Sequence, residues 1–261
     1  MRRSTLLALC AVTWALLPFA MGSEGSSSPY TDAIGDIDPG ISTANGTIDI
    51  TGMEVSNTAT DINFKLTVNG DVSTTDWGKF MVGIATGKTD GTQSGNGWGR
   101  PINLSYDNDP FAVQVLGMNH WIGTWVDSGG GSQFFTYNDG TLLWDGPAAL
   151  TSFSFTGGAT SEINMGVSLA SMNLIPGDVI YFDAYSSGGG DGDSAIDSLA
   201  NPNVAVTDWA GPYTSYATVA GGPGLNSYTV AVPEPGTMAL GAAATLGGGY
   251  ELARRRRRRR S

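Results

Sequence analysis

Along most of this chain apolar and polar residues alternate with period two, and turn-forming residues interrupt the alternation at regular intervals. The run Ile62-Asn63-Phe64-Lys65-Leu66-Thr67-Val68 is the clearest. It puts Ile62, Phe64, Leu66 and Val68 on one face, and Asn69-Gly70 closes it with a strong turn signal. Residues 46–50, 80–85, 111–116, 121–126, 133–137, 150–155, 163–169 and 179–185 read the same way. Asn45-Gly46, Asp90-Gly91, Asn96-Gly97, Asp139-Gly140 and Asp145-Gly146 mark further turns. Helical signal is confined to one or two turns in residues 169–174. Short strands at even spacing, joined by Gly-rich loops, predict an all-β fold: an antiparallel β-sandwich, jelly-roll-like, over residues 46–231.

The two ends depart from this pattern. Met1-Arg2-Arg3, an apolar stretch over residues 6–19 and the small residues around Met21 describe a signal peptide, residues 1–22, with cleavage near Gly22. Residues 23–45 read as a polar linker and first loop. At the other end, residues 232–261 run in three parts: Val232-Pro233-Glu234-Pro235, an uncharged apolar stretch over residues 236–250, and arginines from Arg254 to Arg260. The arginines, Arg254, Arg255 and Arg256 first among them, hold their end on the cytoplasmic side of a membrane. The apolar stretch is short against the roughly 20 residues of a spanning helix, so it predicts a transient anchor, a hydrophobic sorting helix. Pro233 and Pro235 keep the segment before it extended and open to a processing enzyme.

This order of parts resembles the PEP-CTERM sorting signal of Gram-negative bacteria. The resemblance implies recognition of Pro233, Glu234 and Pro235 by an exosortase, removal of the tail, and a setting of exopolysaccharide and biofilm production. It also implies export through the inner membrane, with signal peptidase and exosortase as processing partners. The chain would insert transiently in the membrane and end at the outer surface or in the extracellular matrix.

Charge narrows the partners. Residues 25–232 carry four basic residues against 21 acidic ones, a net of −17. Such a surface repels nucleic acid and anionic lipid, and it attracts divalent cations. The single cysteine, Cys10, lies in the export segment, so no disulfide staples the body.

The body holds six tryptophans, most beside Gly, Asn or Asp. A flat ring with amide and carboxylate neighbours suits a sugar, which presents C–H faces and hydroxyls together. Trp98 with Asn96 and Arg100 is the leading ligand-binding candidate, followed by Trp144 beside Asp145 and Trp209 beside Asp208. Trp121 and Trp125 fall on one strand face and read as core. The strand at residues 60–70, the segment Trp77-Gly78-Lys79-Phe80, the loop Gly95-Asn96-Gly97-Trp98-Gly99-Arg100 and the strand at residues 121–126 look like those of sandwiches related to family 9 carbohydrate-binding modules and DOMON domains. That resemblance implies a binding fold and names no substrate.

Asp191, Asp193 and Asp197 gather on a Gly-rich loop and are candidate Ca2+ ligands; Asp32, Asp36 and Asp38, and Asp107 with Asp109, are similar clusters. His120 is the only histidine, and no Gly-x-Ser-x-Gly elbow accompanies it. The body has two glutamates, Glu54 and Glu162. These features point to a non-enzymatic, exported protein associated with extracellular polysaccharide, with no catalytic residue assigned. A secreted carbohydrate-active hydrolase would need a pair of carboxylates in an aromatic cleft, and a purely structural matrix protein would need neither.

Overall fold

The structure, a computed structural model, describes residues 27–38, 40–41, 46–74, 77–92, 95–99, 117–200, 208–209 and 225–232. The described strands are β1 (Ser28–Thr31), β2 (Ile50–Asn57), β3 (Asp61–Asn69), β4 (Lys79–Ala85), β5 (His120–Trp125), β6 (Gly131–Asn138), β7 (Leu143–Ala148), β8 (Ser152–Thr156), β9 (Thr160–Ser168), β10 (Val179–Ser187), β11 (Ala195–Ser198) and β12 (Asn226–Thr229). They form two antiparallel sheets. One runs β1-β2-β3-β9-β8; the other runs β11-β10-β4-β5-β6-β7, with β12 on the same edge of β10 as β11. The expected all-β, antiparallel architecture is present.

Alternation becomes burial most directly in β3. Ile62, Phe64, Leu66 and Val68 are fully buried, and the residues between them are half-buried. Its neighbours match it in register: Phe64 pairs with Met165 of β9 and Val55 of β2, and Leu66 pairs with Ile163 and Met53. Across the sandwich, Phe80, Val82, Ile122, Phe134, Ile180 and Phe182 of the second sheet close the same core. Phe182 meets Phe64 and Tyr30 edge-on, with ring centroids 5.9 and 5.0 Å apart.

The second sheet is covered on its other face too. Met81, Trp121, Phe135 and Tyr185 point away from the main core into a second apolar layer with Ile37, Ile41, Ile48 and Ile196. Within it the Trp121 indole N–H donates to Tyr185 Oη at 2.6 Å. β4 is therefore buried on both faces from Phe80 to Ala85.

Several expectations need correction. Residues 46–50 turn into the sheet, and the strand proper is β2, where a bulge beside Gly52 shifts the register and hides the alternation. β1 lies within residues 23–45, which the sequence presents as linker and loop; its backbone pairs with β2 without an apolar signature. Asp145-Gly146 sits inside β7, an exposed edge strand, instead of in a turn. The helical turn expected in residues 169–174 is present, as the 3-10 turn Ala170–Met172. The expected strand at residues 111–116, the signal peptide and the sorting segment beyond Val232 lie outside the described residues. Among the described residues, no helix is long and apolar enough to cross a membrane.

The last strand is tied to both sheets. Asn57, the final residue of β2 and fully buried, donates from Nδ2 to the Ala231 carbonyl at 3.0 Å. Its Oδ1 accepts from the Ala231 N–H at 2.8 Å and from the Tyr228 hydroxyl at 2.7 Å. Tyr30 Oη donates to the Ser227 carbonyl at 2.6 Å.

Candidate functional site

The outer face of the second sheet carries a cleft built from tryptophans. Trp125 ends β5, two positions beyond Gly123 and four beyond Trp121, so all three share that face. Gly123 leaves room for the rings above it: a Cβ there would sit 2.5 Å from Cζ2 of Trp98. Gly131 on β6, paired with Trp125, does the same for the Trp125 ring. Trp98 reaches this space from its loop, with its ring centroid 4.7 Å from that of Trp121 and 6.2 Å from that of Trp125. The Asn96 side-chain oxygen accepts the Trp98 N–H at 2.9 Å and folds the loop back, and the Trp98 indole N–H donates to Gln133 Oε1 at 2.7 Å.

Trp77 and Trp209 form the second aromatic pair, edge to face at 5.5 Å. The Gly188–Gly190 stretch lies against them: a Cβ on Gly188 would meet the Trp209 ring at 2.8 Å, and one on Gly189 would lie 3.2 Å from Trp77 Cβ. Asp193 closes that loop by accepting the Gly190 N–H at 2.7 Å, and the Ser194 N–H donates to the Trp209 carbonyl at 2.8 Å. Two open hollows result. One, of about 580 Å³, is lined by Trp77, Trp209, Asp127 and Asp193; the other, of about 350 Å³, by Trp98, Trp125 and Asp191. Lys79 and Gly189 line both, and Lys79 Nζ lies 3.4 Å from Asp127 Oδ1.

The sequence candidates divide accordingly. Trp98 and Trp209 line the cleft, whereas Asn96 is buried beneath its own turn and acts by positioning Trp98. Trp144 packs edge-on against Tyr137 at 5.4 Å and covers the second apolar layer instead. Trp121 is core as expected; Trp125 is not, because the strand ends there and its ring opens onto the hollow. Arg100 lies outside the described residues, as do Pro233, Glu234, Pro235 and the arginine run; Val232, just past β12, is exposed. Lys79 and Asp127 carry no sequence signal of a site. The alternation Trp121-x-Gly123-x-Trp125, a slot between two rings on one face, is the signal that could have revealed the cleft.

The three carboxylates expected to share a cation do not stay together. Asp191 and Asp193 belong to the cleft loop, while Asp197, buried on β11, joins Asp32 and Asp36. A ligand oxygen from each of these three lies within 4.8 Å of the others. Asp49, just before β2, stands beside them and accepts the Gly35 N–H at 2.9 Å and the Asn69 amide at 3.0 Å, both at Oδ2. Burial pushes the Asp32 carboxyl up to about 7, and nearby Asp36, Asp183 and Asp49 add to the rise. Burial and the neighbouring Asp32 raise Asp197 well above the ordinary carboxylate range.

Other charged groups stand apart from both places. Glu54 and Glu162 flank Lys65 on the first sheet, with Lys65 Nζ 2.8 Å from Glu54. His120 stacks on Phe134 with its Nδ1 3.2 Å from Thr136 Oγ1. Compared with known protein families and with characterised proteins, the chain matches none.

Proposed function

We propose that this chain is an exported, non-enzymatic surface or extracellular-matrix protein that holds polysaccharide in the tryptophan cleft. The observation that carries this reading is the placement of Trp77, Trp98, Trp125 and Trp209 in two open hollows that share Lys79 and Gly189. Indole faces match the apolar faces of sugar rings, and Asp127, Asp191, Asp193 and Lys79 stand at hand for hydroxyls. The acidic body and the ion pair that occupies Lys79 favour a neutral glycan over an anionic one. The jelly-roll-like reading draws support from the strand order, in which β9 sits beside β3 and β10 beside β4, joining strands distant in sequence. Export, exosortase processing at Pro233-Glu234-Pro235 and transient membrane insertion are supported by the composition of the two ends alone.

The test is a pull-down on insoluble neutral glycans and a glycan array with the purified chain, with and without Ca2+. Trp98→Ala, Trp125→Ala and Trp209→Ala are each expected to weaken retention at least about tenfold, the scale of a lost aromatic anchor. Trp144→Ala is expected to leave it unchanged. Absence of binding by the unmodified chain would leave a structural matrix protein.

A further inference from the structure

We propose that Asp32, Asp36 and Asp197, backed by Asp49, form a Ca2+ site that pins β11 and the loop after β1 to the start of β2. Three oxygens in and beside this cluster are buried without a partner. Asp49 is 2% exposed, and its Oδ1 is buried without a hydrogen-bond partner; Oδ1 of Asp36 and Oδ2 of Asp32 are in the same condition. A buried carboxylate oxygen without a donor is costly, and two of these, on Asp32 and Asp36, belong to the trio with Asp197 whose oxygens converge.

The protein does not supply that cation from its described residues. Lys65, Lys79 and Lys88 pair with Glu54, Asp127 and Asp178. Protein donors hold the carboxylates in place. The Asp197 side chain is fixed by the Ile50 N–H at 2.5 Å and the Ser198 N–H at 2.8 Å. Asp49 is held from the Asp36 side by the Gly35 N–H, and Asp32 continues the β1–β2 pairing through its N–H to the Thr51 carbonyl at 3.1 Å. The backbone therefore assembles four carboxyl groups, Asp32, Asp36, Asp49 and Asp197, from three separate stretches of chain.

The donor set selects the ion. It is carboxylate throughout, which suits Ca2+ or Mg2+ better than Zn2+, whose sites favour sulfur and imidazole. Oxygens within 4.8 Å of one another can close around one divalent cation, and Ca2+ accepts an irregular set of several protein carboxylates, whereas Mg2+ keeps several waters and is held through one or two. The site would exist whether or not the cleft holds a glycan. It does bear on the cleft, because β11 follows directly on the loop that carries Asp191 and Asp193.

The experiment is calorimetric titration and thermal unfolding of the EDTA-treated, purified full-length chain with Ca2+ and, separately, Mg2+. One Ca2+ per chain is expected, with the midpoint of unfolding raised by about 5–10 °C at a hundredfold excess over Kd. Asp32→Asn combined with Asp36→Asn, in loop positions that need not disturb folding, is expected to abolish both effects. Asp191→Asn combined with Asp193→Asn is expected to retain them. The proposal is overturned if the unmodified chain binds no Ca2+ up to about 10 mM, above the range of extracellular calcium modules. Preference for Mg2+, or binding that survives Asp32→Asn with Asp36→Asn, would overturn it equally.

Discussion

At the scale of single residues, His120 shows how burial sets a pH response. Burial pulls its imidazole down to about 4, so the folded protein excludes a proton that the unfolded chain takes up below about 6.5. The stability gained by keeping this ring neutral is complete above about pH 6.5 and is lost as the pH falls towards 4, by at most roughly 3 kcal/mol. Denaturation of the unmodified chain and of His120→Gln, compared at about pH 7 and pH 4.5, checks this: the gap between them should narrow or reverse in acid. Gly123 makes a different point, since its value lies in the atom it lacks. Gly123→Ala drives a methyl into the Trp98 and Trp121 rings and is expected to cost about 1–3 kcal/mol and to weaken glycan retention. Gly192→Ala, with open space around it, should lie within about 0.5 kcal/mol of the unmodified chain in the same denaturation series.

Among the elements, β4 should be the slowest to open. It is paired on both edges, by β5 and β10, and buried on both faces, whereas β7 is an exposed edge strand. Native-state hydrogen exchange is expected to give β4 amides protection close to the global unfolding free energy, with β7 amides exchanging far faster; equal protection in both would contradict this account. The same contrast explains what could be read from the chain. β3 announces itself because one face is buried and the other is not, and β4, buried on both faces, reads as a strand as well. β1, β11 and β12 are four-residue strands held by backbone pairing, and β7 buries little, so none leaves a periodic trace. Trp98 is legible from its Asn-Gly turn. The cleft around it is not, because Lys79, Trp125 and Trp209 come from three separate elements. The carboxylate cluster is still less so, since only the β10–β11 pairing carries Asp197 to the neighbourhood of Ile50 and Asp32.

In the molecule as a whole, the second sheet is a middle layer: the main core lies on one side, and on the other lie an apolar layer and the cleft. Val232, the last described residue, follows closely on β12, and β12 is fastened to β10 by backbone pairing and to β2 through the Asn57 amide. A protein tethered by its C-terminal segment would feel every tug at that point. Flow or matrix tension entering there would be divided between the two sheets at once, instead of peeling one strand from one edge. The buried amide of Asn57 would then serve as a strain relief for β12.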